Sequence, residues 1–175
     1  MPAPRRRGAE SSDDRGGRPA KRKDVHERAL GLLAVRQRSR RELERRLVQA
    51  GFHRDEVDAE LGRLELVGLI DDEAFARAVV ESRMGSRGES RRAVAVKLSQ
   101  AGVDREVAGA ALDEAPEDEQ VRADRLAETR AGRVAGLDPA TGFARVSGFL
   151  MRRGYPPGVA RLAARRALGL EGIEA

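Results

Sequence analysis

The chain has no cysteine and no tryptophan, and only 3% of its 175 residues are aromatic. Without cysteine there is no disulfide framework, no thiolate-bound zinc and no cysteine nucleophile. With so few rings, a core must be filled by Leu, Val and Ala, which suits helix packing better than sheets. Lysine is almost missing too: of 34 basic residues only Lys21, Lys23 and Lys97 are lysines. No Gly-x-x-x-x-Gly-Lys phosphate loop is present, and Lys97 has no paired acidic motif beside it of the kind a nuclease site would use. His26 and His53 are the only imidazoles, and both read as exposed residues rather than bases or ligands. No apolar run approaches the roughly 18 residues of a membrane span, and the N-terminus lacks the apolar centre of a secretory signal. These absences point to a cytoplasmic protein that is not an enzyme and has no metal or cofactor.

What is abundant is charge. The net charge is +5, unevenly spread: residues 1–24 hold eight Arg or Lys against four Asp or Glu, and residues 25–175 hold 26 against 25. The first 24 residues, rich in Gly, Pro, Ser and Arg, offer almost nothing to bury and are expected to form a disordered basic tail. Such a tail favours weak, salt-sensitive contact with polyanions. The remaining body is dense in charge and nearly neutral.

The body repeats itself. LERRLVQAGF (Leu43 to Phe52), VAVKLSQAGV (Val94 to Val103) and VSGFLMRRGY (Val146 to Tyr155) each place an apolar residue eight before a glycine, a leucine four before it and a large apolar residue after it. The glycines, Gly51, Gly102 and Gly154, lie 51 and 52 residues apart. Apolar residues four apart share a helical face, and a glycine just past that face is a left-handed helix stop. The spacing therefore predicts a helical unit used three times.

Each unit reads as three helices. In residues 25–70, Val25, Ala29, Leu32 and Leu33 give the first face. Ser39 with Glu42 forms a capping box before Leu43, Leu47 and Ala50, and Val57, Leu61 and Leu64 follow. In residues 71–115, Asp72 is the expected N-cap before Phe75, Ala76 and Val79. Ser90 opens a helix through Val94, Leu98 and Ala101, and Asp104 opens another through Val107, Ala111 and Leu112 up to Ala115-Pro116. In residues 116–170, Val121 and Leu126 are expected inside the first helix. Asp138-Pro139 starts the second, with Phe143, Val146, Phe149 and Leu150 inward, and Val159, Leu162, Ala163 and Leu168 mark the last. Residues 171–175 are expected to fray. Asp71-Asp72 could suggest a metal pair, but acids at a helix start satisfy free amides and the dipole, so capping is preferred.

Arginines recur beside the middle helices: Arg38, Arg41 and Arg45; Arg87, Arg91 and Arg92; Arg145, Arg152 and Arg153. The first set falls opposite Leu43 and Leu47 and is expected in solvent. Stacked units would present the sets as a spaced basic series suited to phosphates or partner carboxylates. Because Glu42, Glu44 and Glu89 are interleaved with them, an ordinary solvated face is the equal alternative.

The segment LVGLIDDEAFARAVVESR (Leu66 to Arg83), with RRELERRLVQAGF before it and KLSQAGV after it, resembles the RecX family of bacterial RecA regulators. The hallmark is carried by Gly68, Leu69, Ile70, Asp71, Asp72, Phe75 and Ala76, and the resemblance extends from about Ala29 to Leu168, through the Arg153–Tyr155 turn. It implies three tandem three-helix repeats in an elongated, curved body with no catalytic residues. It also implies a monomer that docks in the groove of the RecA filament on single-stranded DNA and restrains its ATPase, strand-exchange and coprotease-promoting activities. On that reading Asp71, Asp72, Phe75 and Ala76 cap and pack between the first two units, and DNA contact is weak. Two other readings stand behind it. One is a direct DNA-binding regulator of helix-turn-helix type, set second because the second and third helices of the units are read as mixing acids with arginines. The other is a helical scaffold for some other protein.

Overall fold

A computed structural model of the chain describes residues 24–115 and 117–170. The expected tail up to residue 23, Pro116 and the expected frayed end at 171–175 lie outside the described residues. Among those described there are nine α-helices and no strand: α1 Val25–Val35, α2 Arg40–Gln49, α3 Arg54–Leu66, α4 Asp72–Val80, α5 Arg91–Ala101, α6 Arg105–Asp113, α7 Glu119–Ala131, α8 Pro139–Arg152 and α9 Pro157–Ala167. After α4 the chain continues in a π-helical turn, Glu81–Ser86.

The helices close three separate cores, one per unit. The first gathers Val25, Ala29, Leu43, Leu47, Val57, Leu61, Leu64 and Ile70, and the second Phe75, Ala76, Val80, Met84, Val94, Leu98, Val103, Ala111 and Leu112. Leu43, Leu47, Leu61 and Leu98 are fully buried, each burial contributing about 2 kcal/mol. The third core is built differently. Ala123, Ala127, Ala160, Ala163 and Ala164 surround Val134, Val146, Leu150 and Tyr155. Small residues let α7 and α9 approach closely but bring less apolar area. The closely packed helix pairs all fall within a unit. That is the pattern of a repeat row.

Several expected inward positions are not inward. Ala50 is exposed, Val121 is 54% exposed, Leu162 is 40% exposed and Leu126 is only half-buried. On α7 the alanines at 123 and 127 occupy the buried stripe, and the larger Val121 is left outside it. Asp72 is not the cap of α4: Asp71 is, its carboxylate accepting from Ala74 N–H at 2.8 Å. Ser39 caps α2 through the Glu42 N–H at 3.2 Å, but Glu42 turns to arginines and does not complete the capping box. Phe75 and Ala76 lie inside the second core and not between units.

The units meet at two joints of the same design. At the first, Arg40 N–H at the start of α2 donates to the Asp72 carboxylate of the next unit at 2.8 Å, and the Ser39 hydroxyl donates to the Ala101 carbonyl at the end of α5. At the second, Arg91 N–H donates to the Glu119 carboxylate at 3.1 Å, and Ser90 N–H to the Arg153 carbonyl at 2.9 Å. In both, an acid on one unit satisfies an amide at the helix start of the unit before it, where the dipole favours negative charge. The repeat glycines complete the joints. A Cβ on Gly102 would stand 2.5 Å from Arg41 Cβ, and one on Gly154 2.7 Å from Ala93 Cβ and Ser90 Oγ. Gly51, with no unit docked on it, would meet nothing within 4 Å.

Candidate partner-binding surface

The nine candidate arginines have separate fates. Arg38, expected in solvent, is buried: its Nε donates to the Leu32 carbonyl at 3.1 Å and its Nη1 to the Glu42 carboxylate. It precedes α2 and reaches back over the end of α1, so its direction is not set by the face of α2. Arg41 pairs with Glu44 at 3.0 Å, and Arg45 donates to the Gln100 carbonyl of the next unit at 3.0 Å. Glu42 collects Arg36 at 2.5 Å, Arg46 at 3.0 Å and Arg38. Burial works to raise the Glu42 pKa, but the hydrogen bonds from Arg36, Arg46 and Arg38 outweigh it and hold the carboxyl below its ordinary range. Arg91 clamps the end of α6, donating to the Leu112 carbonyl at 2.7 Å and pairing with Asp113 at 2.5 Å. Arg92 is exposed.

The third set has no ion pair to an acid among the described residues. Arg145 and Arg152 are exposed on α8, and Arg153, at its C-cap, lies over the Phe149 ring at 4.6 Å from the centroid. Arg130, from the last turn of α7, covers the same ring at 5.2 Å. Arg153 also donates to the Arg87 carbonyl, which brings the exposed Arg87 to this corner. The structure thus places Arg130 and Arg153 on the Phe149 ring, with Arg145 and Arg152 about one turn to either side of Phe149 on α8 and the Arg87 carbonyl bound by Arg153. Sequence reading missed Arg130 and took Phe149 as core only. It also took the last helices as charge-mixed, whereas α8 and α9 contain no Asp or Glu.

Other chemistry is sparse. The glycines Gly51, Gly68, Gly102 and Gly154 all adopt positive φ, as turn positions. Asp71 and Asp72 serve as cap and joint; burial is the main cause raising the Asp72 pKa, against the Arg40 N–H that lowers it. His53 is exposed at the start of α3, while His26 Nδ1 hydrogen-bonds the buried Glu60 carboxylate at 2.7 Å. At the second joint lies a cleft of about 390 Å³ floored by Val80, Met84 and Ala111. Arginines 77, 122 and 125 and glutamates 81, 114 and 117 line it together, so it carries no single sign of charge. Among the described residues no group of three or more His, Cys, Asp or Glu could hold a metal ion. No described helix is long and apolar enough to cross a membrane.

Fold and surface together define an all-helical protein of three tandem three-helix domains with an arginine-rich face on the third. Models of the first, second and third three-helix domains of RecX match residues 26–64, 71–112 and 117–163. The regulatory protein RecX of Amycolatopsis mediterranei is 38% identical over 153 residues, covering 87% of each chain. That of Thermobifida fusca is 36% identical over 173 residues, 96% of this chain and 94% of the relative. A crystal structure of RecX from Lactobacillus salivarius has the same fold, with a TM-score of 0.69 at 22% identity over 82% of this chain and 94% of its own. The chain belongs to the RecX family of regulatory proteins.

Proposed function

We propose that this chain is a non-catalytic modulator of the RecA recombinase, acting in the cytoplasm as a monomer. It docks along the groove of the RecA filament on single-stranded DNA and restrains ATP hydrolysis, strand exchange and coprotease stimulation. Family membership carries this reading: the relatives are named regulatory proteins and match over most of the chain. The architecture is consistent with it. Three units, each closed on its own core and joined by a few polar contacts, offer separate contact areas whose weak affinities combine through effective concentration.

The test is co-sedimentation of the chain with RecA filaments and with bare single-stranded DNA at matched salt, paired with the RecA ATPase rate. Retention on filaments beyond that on bare DNA, with a lowered ATPase rate, is the expected result. Equal retention on both would leave only a DNA-binding protein. The helix-turn-helix alternative needs a groove-reading helix. The acid-free α8 and α9 make a nucleic-acid contact reasonable, though not a sequence-reading one.

A further inference from the structure

The last two helices form the longest acid-free stretch of the folded body; among the other helices only α5, 11 residues long, also has no acid. Residues 139–170 hold six arginines and no Asp or Glu, whereas residues 25–138 hold 20 basic and 23 acidic residues. On α8 the imbalance coincides with a geometry. Arg145, Phe149 and Arg152 stand at i, i+4 and i+7, one helical face, and Arg153 follows at i+8. The Phe149 ring is covered by Arg153 and by Arg130, whose buried Nε has no hydrogen-bond partner. Gly148 lies beside the strip, and a Cβ there would meet Arg152 Nη1 at 3.3 Å, so the missing side chain leaves room for the Arg152 guanidinium to lie along the helix.

Cations at a helix C-terminus are stabilised by the dipole, which accounts for Arg130, Arg152 and Arg153 without any partner. It does not account for Arg145, two turns earlier, or for the loss of every acid from both helices.

We infer that this face of α8, with Arg130 and Arg153 stacked on Phe149, binds the phosphate backbone of single-stranded DNA without reading its sequence. From Arg145 to Arg152 the strip is about 10 Å long, enough to reach more than one phosphate of a single strand. Duplex-reading helices present their N-terminal residues to the groove. Here the N-terminal turn of α8 is Pro139, Ala140, Thr141 and Gly142, and the charge lies toward the other end. No Asn or Gln on α8 or α9 could read adenine. A protein partner of ordinary interface size requires an apolar centre, and the strip offers none beyond the already covered Phe149. The inference deepens the proposed function by giving the chain its own hold on the filament's DNA. Its test uses bare DNA, so the two can fail separately.

The experiment is fluorescence anisotropy of a labelled oligothymidylate with the full chain across a salt series. It compares Arg145→Ala/Arg152→Ala with the control pair Arg28→Ala/Arg105→Ala, both exposed and away from the strip, circular dichroism confirming that all remain folded. The α8 pair should weaken binding on the order of tenfold at low salt and flatten the log–log salt slope by about 0.7 per arginine. Phe149→Leu should give a partial loss by releasing the two stacked guanidiniums. Equal affinity and slope for the α8 pair and the control pair would overturn the proposal. So would a duplex of equal length bound as tightly as the single strand, or an α8 pair that loses a polyglutamate probe but keeps the oligonucleotide.

Discussion

Helices α2 and α8 hold the same place in their repeats and are both rich in arginine, yet the two sets of arginines do different things. Around α2 the cations are spoken for: Glu42 gathers Arg36, Arg38 and Arg46, Glu44 takes Arg41, and Arg45 reaches the next unit. Around α8 there is no acid in the helix, and Arg145 and Arg152 stand in solvent. The number of arginines is therefore a poor guide to where a polyanion or an acidic partner could bind. The acids within reach decide whether a guanidinium is structural or available.

The sharpest way to break this comparison is to remove the hub. Arg38 and Glu42 are both largely buried, at 7% and 13% side-chain exposure, so Glu42→Ala leaves a buried guanidinium without its counter-charge. The expected loss is about 3–5 kcal/mol, read by urea unfolding. A loss below about 1 kcal/mol would mean that the α2 cluster is as solvated as the α8 strip.

The repeat glycines come next. Gly102→Ala must force Arg41 Cβ aside as well as hold a left-handed backbone, for a cost of about 2–4 kcal/mol. Gly154→Ala crowds Ala93 and Ser90 in the same way. Gly51→Ala has only the backbone strain, about 1–2 kcal/mol, because its Cβ would meet nothing. Thermal unfolding of the three variants should rank Gly51→Ala as the mildest, and equal values would show that the joints are loose.

This difference also shows how far the sequence could be read. The three glycines, the leucines four before them and the Ser39, Ser90, Asp104 and Asp138 caps follow from local periodicity and local hydrogen bonding, so they were legible. The joints were not. That Gly102 and Gly154 are contact points, and that Asp72 and Glu119 satisfy amides in the preceding unit, depends on how units dock, which no local pattern encodes. The burial of Arg38 has the same origin, since its partner Leu32 lies across a turn. Val121 is larger than its neighbours but lies off the buried stripe of α7, where alanines 123 and 127 set the close approach. The acid-free stretch was visible as letters, but averaging charge over the whole body concealed it.

Acid titration separates Glu42 from Asp72. The folded-state pKa of Glu42 is depressed, so its stabilisation is full above the unfolded value and is lost as pH falls through the lower folded one. Asp72 is raised, chiefly by burial, so its ionised form costs stability at neutral pH and that cost is relieved as pH falls through its raised value. The stability gap between wild type and Glu42→Gln should therefore close below about pH 4. Asp72→Asn should remove the opposite, acid-relieved component. Gaps that do not vary with pH would show that neither carboxyl is perturbed in the fold.

The smallest expected effect on stability belongs to α8. Arg145→Ala and Arg152→Ala remove side chains that touch no acid among the described residues and lie in solvent, so each should change stability by no more than about 0.5 kcal/mol. Arg152 sits in the last turn, where its charge favours the helix dipole, so its loss should be the larger of the two and should shrink as salt rises. Arg145 lies two turns earlier and should be neutral at any salt. A residue that contributes nothing to the fold and still stands in a stretch emptied of acids is one whose charge is available to a partner. The contrast would collapse if Arg145→Ala destabilised the chain as much as Arg38→Ala, because Arg145 would then be engaged within the fold.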